Sequence, residues 1–223
     1  MLFEKIINLF DLYHQKRIIN YLKKLNLKNF IDVGAHKGEF LSYILTLNYK
    51  KIYCFEPQKK IFKILHKKFK NKKNIKLFNF GLAHKSSKII FHENKLTSTS
   101  TFSKIKNTPF FKVKNFILNS KNSYIDKYPI NTRTLDEIFI NKKIYNIFLK
   151  IDVEGFELNV LKGAKKTLSK KVKYILIERH FFQLYKSNSK EKVHLFLKKN
   201  NFKLIKRFTF PLLHFQDNLY KKK

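Results

Sequence analysis

Short apolar runs alternate with segments of helical periodicity over most of this chain, and this alternation constrains its fold more than any other feature. The apolar runs predict buried strands, and the segments between them predict crossover helices. We therefore predict an α/β fold with a mainly parallel sheet flanked by helices. The predicted strands span residues 30–33, 51–55, 75–80, 145–151, 174–177, 202–208 and 218–221, of which the last two form a closing antiparallel pair. The predicted helices span residues 39–47, 61–69, 134–140, 157–168 and 190–199.

Two segments do not follow this alternation. Residues 1–29 predict a lysine-bearing amphipathic helix or helix pair, ahead of one domain at residues 30–221. Such a helix can lie on a membrane surface, but packing against its own domain is the simpler interpretation. Residues 84–130 lack helical periodicity, so we expect a variable insertion of loops and a small hairpin on the substrate side. Its expected edge strands are 89–91 and 110–118, and its expected polar loop is 94–103.

The chain is strongly basic, with 49 lysines and arginines against 15 acidic residues and a formal net charge of +34. Proteins that bind nucleic acids specifically use arginine for bidentate contacts. Here nearly all the basic residues are lysines, and the abundant Lys, Asn, Ile, Phe and Tyr all have AT-rich codons. We therefore attribute much of the charge to base composition and do not expect specific nucleic-acid binding. The charge still attracts anionic substrates and anionic membrane surfaces. The arginines are Arg17, Arg133, Arg179 and Arg207.

The single cysteine, Cys54, excludes an internal disulfide and any multi-cysteine metal site. This composition indicates a reducing compartment, so we expect a cytoplasmic protein. The histidines show no metal-ligand spacing, and we predict no metal site from the sequence.

A turn with two glycines joins the first predicted strand to its helix, over Asp32-Val33-Gly34-Ala35-His36-Lys37-Gly38. Gly34 permits a tight turn directly after the strand, and Gly38 lets the helix begin close to the sheet and to a ligand. The glycines are four residues apart, which differs from the dinucleotide pattern G-x-G-x-x-G. Alone, this turn indicates only a nucleotide-binding α/β protein.

Acidic residues follow two further strands. Glu56 ends the second strand, 18 residues after Gly38, where a carboxylate can accept hydrogen bonds from both hydroxyls of a ribose. Asp152 and Glu154 follow the fourth strand, at the sheet edge where open parallel sheets bind their ligands. Glu157 is explained by charge complementarity with a helix N-terminus, whereas Asp152 directly after an apolar strand is not.

Together these blocks resemble the FkbM family of S-adenosylmethionine-dependent methyltransferases, over roughly residues 30–180. The spacings between the blocks agree as well. The resemblance implies a Rossmann-like methyltransferase fold with a seven-stranded sheet and an antiparallel C-terminal strand. The matching blocks are Asp32-Val33-Gly34-Ala35-x-x-Gly38, Phe55-Glu56-Pro57, Asn79 to Ala83, Thr134-Leu135-Asp136, Lys150-Ile151-Asp152-Val153-Glu154-Gly155-x-Glu157 and Val160-Leu161-x-Gly163-Ala164.

The resemblance also implies a role for each matched cofactor residue. Asp32, Gly34 and Gly38 would hold the methionine part of S-adenosylmethionine, and Glu56 would hold its ribose. His36 stands where the family usually has asparagine, and its imidazole can replace amide hydrogen bonding. The residues implied to flank the adenine are Asn79, Gly81 and Leu82.

Methyl transfer to oxygen needs an aligned acceptor and a group that removes its proton. The resemblance implies that Asp152 stands near the sulfonium and the acceptor. We predict the general base among Asp152, Glu178 and His180, the last two following the fifth strand.

The predicted function is methyl transfer from S-adenosylmethionine to a hydroxyl of a saccharide or other small molecule, in glycan or natural-product modification. The basic surface favours an anionic acceptor. Two alternatives remain: an RNA methyltransferase, suggested by the charge, and a non-catalytic binder that retains the fold.

Overall fold

The computed structural model describes residues 2–94, 97, 100–103, 124–181, 190–211 and 215–223. Its strands are β1 (Asn29–Val33), β2 (Lys51–Phe55), β3 (Ile75–Phe78), β4 (Gly81–Leu82), β5 (Ser87–Asn94), β6 (Tyr124–Arg133), β7 (Ile147–Ile151), β8 (Val172–His180), β9 (Phe202–Thr209) and β10 (Phe215–Lys222). Its helices are α1 (Leu2–Leu22), α2 (Glu39–Ile44), α3 (Lys59–Phe69), α4 (Leu135–Phe139), α5 (Glu157–Lys162), α6 (Lys165–Lys170) and α7 (Lys190–Lys199).

Seven strands form one sheet in the order β3-β2-β1-β7-β8-β10-β9. The five strands from β3 to β8 run parallel, and β10 runs antiparallel to both of its neighbours. This arrangement confirms the predicted fold class. The order reverses between β1 and β7, so the ligand-binding switch point of the sheet lies at their carboxyl ends.

Two hydrophobic clusters cover the two faces of this sheet. Alternating residues of each strand point to opposite faces; on β1, Ile31 joins one cluster and Phe30 the other. The helices α4 to α7 supply residues to the first cluster, and α1 to α3 supply residues to the second. Burial on both faces explains why the central strands show continuous apolar runs in the sequence.

Helix α1 packs against the domain through Ile18, Ile19 and Leu22, which are all buried. Two polar contacts fasten it to the antiparallel strands: His14 Nε2 lies 2.7 Å from Asp217 Oδ2, and Arg17 donates to the Thr209 carbonyl. The interpretation of this segment as a packing helix therefore agrees with the contacts it makes. Among the described helices, none combines the length and the apolarity needed to cross a membrane.

The insertion contains more regular structure than predicted. Strands β5 and β6 pair antiparallel from Ser87↔Thr132 to Asn94↔Tyr124, and β4 adds to β6, giving a second sheet in the order β4-β6-β5. The expected hairpin is thus present, with the predicted strand 89–91 inside β5, but it is longer than expected and pairs with a third strand. Strand β6 is mostly polar and contains Pro129, which removes the usual strand pattern. The strand expected at 110–118 lies outside the described residues.

The single helix predicted at 157–168 is two helices, α5 and α6, which are separated at Gly163. A Cβ atom on Gly163 would lie 2.0 Å from the Ala83 carbonyl oxygen, so the chain passes too close to β4 for a side chain. Asp136 then caps α6 by accepting from the N–H groups of Lys166 and Thr167. The apolar periodicity continues through the break, and it therefore gave no sign of the interruption.

Candidate functional site

A cleft of about 190 Å³ opens at the carboxyl ends of β1, β2 and β7, at the switch point of the sheet. The residues that line it come from β7, from the turns after these strands, from helices α1 and α2, and from the insertion. They include Gln15, Gly34, His36, Glu56, Phe91, Thr97, Thr101, Phe102, Lys150, Asp152 and Glu154. Of the predicted site residues, the structure thus brings Gly34, His36, Glu56 and Asp152 together.

The turn after β1 depends on left-handed backbone conformations. Gly34 has φ 85°, and a Cβ there would lie 1.9 Å from the Asp152 carbonyl oxygen. The N–H groups of Gly34 and Ala35 both donate to the Phe55 carbonyl at 3.0 Å. Gly34 therefore lets the ends of β1, β2 and β7 converge without an intervening side chain. Gly38 caps α2 and packs against α3, so it shapes the turn but does not line the cleft.

Glu56 is buried, with 6% of its surface exposed, and it faces the turn. Its Oε2 accepts from the His36 N–H at 3.0 Å, and its Oε1 accepts from the Gln58 N–H at 2.8 Å. Burial raises the pKa of this carboxyl to about 7, although these hydrogen bonds and His36 oppose the shift. Each oxygen keeps a lone pair for a further donor, so the carboxylate fits the two hydroxyls of a ribose.

Lys150 links two of the predicted acids at the switch point. Its Nζ lies 3.0 Å from Asp152 Oδ2 and 3.5 Å from Asp32 Oδ1. Asp32 is fully buried, and burial raises its pKa to about 6, with Lys150 opposing the shift. Burial alone would lower the pKa of the Lys150 ammonium, but the two carboxylates outweigh it and the pKa is raised.

Lys150 belongs to one of the matching sequence blocks, but no role was predicted for it. Its signal was present in the strand Ile147–Ile151, since a lysine within a run of apolar residues needs a buried counter-charge. Asp32 is not among the residues that line the cleft, but it contacts Lys150, which does line it.

His180 stands between two carboxylates. Its Nε2 lies 2.9 Å from Glu178 Oε1 and 3.0 Å from Glu154 Oε2. Burial would lower the pKa of the imidazole, but Glu178 and Glu154 outweigh it and raise the pKa. Burial also raises the pKa of the Glu178 carboxyl. The predicted pair of Glu178 and His180 is therefore in contact, and Glu154 joins it to the wall of the cleft.

The insertion closes one side of the cleft through hydroxyl side chains. Thr97 Oγ1 lies 3.0 Å from His36 Nε2, and Thr101 Oγ1 donates to the Glu154 carbonyl at 2.6 Å. Ser103 Oγ donates to the Gly155 carbonyl at 2.9 Å. Sequence reasoning treated this polar stretch only as a loop, since threonine and serine hydroxyls in a loop show no pattern that identifies their partners.

The three residues expected to flank the adenine lie outside the lining of the cleft. Asn79 donates to the carbonyls of Glu56 and Pro57, so it fixes the loop that presents Glu56. Leu82 is buried in the first hydrophobic cluster, and Gly81 packs against the ring of Phe102. Asn79 and Gly81 therefore contact residues that line the cleft, Glu56 and Phe102, without lining it themselves.

This sheet order, with an acid after β2 facing the turn after β1, defines a Rossmann-like methyltransferase fold. Solved structures with this fold include the magnesium protoporphyrin IX methyltransferase of Synechocystis, at 9% identity and TM-score 0.52, covering 98% of this chain and 83% of that one. A proposed RNA methyltransferase from Pyrococcus horikoshii matches at 10% identity and TM-score 0.51, covering 93% and 81%. A proposed methyltransferase from Escherichia coli, yhhF, matches at 10% identity and TM-score 0.52, covering 95% and 86%.

The family is given by the sequence itself. The methyltransferase FkbM domain matches residues 32–204, and the chain therefore belongs to the FkbM family of methyltransferases. The resemblance stated from the motifs is confirmed, and with it S-adenosylmethionine as the cofactor. No curated protein sequence matches the chain.

The residues present fit this cofactor. Gly34 lets three strand ends converge at the cleft, and the Glu56 carboxylate lines the same cleft beside this turn. S-adenosylmethionine supplies an activated methyl group on a sulfonium. The protein itself therefore has to bind the cofactor and the acceptor, orient them and exclude water.

Proposed function

We propose that this enzyme methylates a hydroxyl oxygen of a saccharide or other small molecule that carries an anionic group. The observation that carries the proposal is Asp152, whose side chain is one-third exposed and lies in the same cleft as Gly34 and Glu56. A carboxylate at this place can orient an acceptor hydroxyl and take its proton.

The residues divide the work as follows. Glu56 and the turn at Gly34 hold the cofactor, and the side chains of Phe91 and Phe102 limit access of water to the cleft. Asp152 would accept the hydroxyl proton. S-adenosylmethionine would supply the methyl group to the acceptor oxygen, which would give a methyl ether and S-adenosylhomocysteine. The proton then leaves Asp152 to solvent.

An anionic acceptor is supported by a second cavity of about 320 Å³ beside Glu178. Two of the four arginines of the chain, Arg179 and Arg207, line it together with three acids, Glu157, Glu178 and Glu191. Arg179 Nε is buried without a hydrogen-bond partner among the described residues. A buried guanidinium N–H in that state is a donor for a carboxylate or phosphate oxygen.

We also propose a cytoplasmic location, since a chain with the single cysteine Cys54 forms no internal disulfide, as is usual in reducing compartments. The proposal also extends to glycan or natural-product modification, which the family resemblance implies. Membrane contact through α1 remains a prediction, for which the exposed Leu9 and Tyr13 on that helix are the relevant side chains.

The test has two stages. Calorimetric titration with S-adenosylhomocysteine establishes the cofactor site, with Glu56→Ala as the variant that should lose binding. Transfer of a labelled methyl group is then measured on matched acceptors: a sugar and its uronic acid, a nucleotide-linked sugar, and transcript RNA. We expect the uronic or nucleotide-linked sugar to be methylated and Arg179→Met to raise its KM more than that of the neutral sugar.

Two outcomes would reject this substrate class. Equal rates on neutral and anionic sugars, unchanged by salt, would reject the anionic preference. Methylation of RNA alone would show that the protein is an RNA methyltransferase, which would bind RNA through its lysine-rich surface.

A further inference from the structure

Glu154, Glu178 and His180 form a compact cluster beside the cofactor cleft. One ligating atom of each, the histidine nitrogen and two carboxylate oxygens, lies within 4.8 Å of the others. The distances from His180 Nε2 are 3.0 Å to Glu154 and 2.9 Å to Glu178. The side chains are between 12% and 16% exposed, so the cluster is shielded and can still be reached.

Two elements hold this cluster in place. Glu178 and His180 are two residues apart on β8, so their side chains lie on the same face of the strand. Glu154 comes from the turn after β7, where its φ of 52° is left-handed and Gly155 follows at 88°. The hydroxyl of Thr101 donates to the Glu154 carbonyl and fixes that turn.

Two carboxylates face one imidazole nitrogen in this cluster. A single proton on His180 Nε2 faces two carboxylate oxygens and cannot donate fully to both. Glu157 is a third carboxylate that interacts electrostatically with His180 and Glu154. Its Oε2 is buried without a hydrogen-bond partner among the described residues. Asp152 adds a further negative charge beside Glu178. This concentration of acids occurs in a chain with a net charge of +34.

We propose that Glu154, Glu178 and His180 bind a divalent first-row transition metal ion. Two carboxylates and an imidazole form a mixed donor set that suits Mn²⁺ or Zn²⁺ better than Mg²⁺, which prefers oxygen. Ligands at right angles, each about 2.1 Å from a metal, stand about 3 Å apart. The separations around His180 Nε2 match that spacing. Glu157 interacts electrostatically with His180 and Glu154, so its carboxylate would add to the attraction for a cation.

The ion would have a use in methyl transfer, and this part rests on the proposed function. Carboxylates such as Asp152 are weak bases toward alcohols, so transfer is helped when the hydroxyl is made more acidic. A bound divalent ion lowers the pKa of a coordinated oxygen by several units. Glu154 belongs to both the cluster and the lining of the cleft, which places the ion within reach of an acceptor.

Metal binding is tested on the purified full-length protein after treatment with a chelator, without any methyl acceptor. Mn²⁺ binding is followed by electron paramagnetic resonance, and the absorption spectrum of added Co²⁺ reports imidazole ligation. We expect one ion per chain. Glu154→Gln and His180→Asn should each weaken Mn²⁺ binding by more than about 10-fold. Calorimetry in buffers of different ionisation enthalpy should show proton release, since the imidazole must be neutral to ligate.

Glu137→Gln serves as the matched control, because Glu137 is an acid that pairs with Arg133 away from the cleft. S-adenosylhomocysteine titration of every variant verifies that the fold is intact. Wild-type protein that binds S-adenosylhomocysteine but none of these ions overturns the metal site and leaves the proposed function standing. Metal binding that the two variants retain also overturns it. Stoichiometric binding that is lost in the variants supports the site, even where no acceptor is methylated.

Discussion

The backbone N–H of His36 donates to Glu56 Oε2 at 3.0 Å, which joins the turn after β1 to the acid after β2. In the roles implied by the family, these two parts would bind neighbouring portions of the cofactor, the methionine and the ribose. This hydrogen bond already joins the two parts of the candidate cofactor site in the unliganded protein. Such preorganisation reduces the entropy cost of binding.

Removing the Glu56 carboxylate should weaken cofactor binding. Glu56→Ala loses charge-assisted hydrogen bonds to the ribose, which corresponds to about 1.5–3 kcal/mol or roughly 10- to 150-fold in Kd. Calorimetric titration with S-adenosylhomocysteine measures this loss. Glu39→Ala is the matched control, because Glu39 lines the same cleft but is 58% exposed. An equal loss in both variants would show that general charge, not ribose binding, is responsible.

Cofactor affinity should increase as the pH rises through about 7. The pKa of Glu56 is raised to about 7 by burial, and the ionised carboxylate is the form that accepts from two hydroxyls. Linkage then predicts about a 10-fold gain in affinity between pH 6 and pH 8. Titrations across this range should show the gain in the wild type and its absence in Glu56→Gln. A pH-independent Kd in the wild type contradicts the prediction.

The same shift has the opposite sign for the stability of the unliganded protein. A carboxyl whose pKa is raised on folding stabilises the fold while it is protonated. Its contribution is full below the unfolded value of 4.5 and is lost as the pH rises through about 7. Urea unfolding at pH 5 and pH 8 should show less decline for Glu56→Gln than for the wild type.

Replacing Lys150 by methionine should strongly destabilise the protein at neutral pH. Asp32 would be left as a buried charge without its ammonium partner, which costs about 3–5 kcal/mol. The loss should shrink at pH 5, because Asp32 has a pKa of about 6 and becomes neutral there. Unfolding free energies in urea measure both effects.

Two further variants decide the cause of that destabilisation. The double variant Asp32→Asn with Lys150→Met should recover part of the lost stability at neutral pH. Lys67→Met, on the exposed face of α3, should change the stability by less than about 0.5 kcal/mol. If the double variant is less stable than Lys150→Met alone, the buried charge is not the reason for the loss.

His36→Asn should be tolerated by the backbone. His36 has φ 48°, a left-handed conformation in which asparagine and histidine are enriched and β-branched residues are outliers. We expect Asn to keep cofactor affinity within about 3-fold, and Val to cost about 1–3 kcal/mol of stability. Thermal unfolding and cofactor titration of both variants test this expectation. Equal stability of the two variants would mean that the backbone conformation does not matter.

The strands of the main sheet could be predicted because burial on both faces gives apolar runs, as in Phe148 and its neighbours on β7. Strand β6 could not, because it is the central strand of a small second sheet and its residues are mostly polar. The division of the predicted helix at Gly163 depends on contact with Ala83, which lies 80 residues earlier. Such a long-range contact leaves no trace in local periodicity.

The turn at Gly34 and the acid Glu56 could be proposed from the sequence because each directly follows an apolar strand, and adjacent parallel strands end at the same edge of the sheet. Lys150 could be noticed as a charge in an apolar strand, but its partner Asp32 lies on a different strand. The contact of His180 with Glu154 depends on the pairing of β7 with β8 and on a left-handed residue. Sequence spacing alone does not contain these relations.

The hydroxyl contacts of the insertion have a consequence for the exchange of loops between relatives. Three hydroxyls of the insertion bind the turns after β1 and β7. Thr97 contacts His36, Thr101 donates to the Glu154 carbonyl, and Ser103 donates to the Gly155 carbonyl. A chimera that imports another relative's insertion without these hydroxyls loses the hydrogen bonds that join the insertion to these turns. The range of acceptors and the cofactor affinity should then change together. The insertion therefore cannot be exchanged independently of the turns that it contacts.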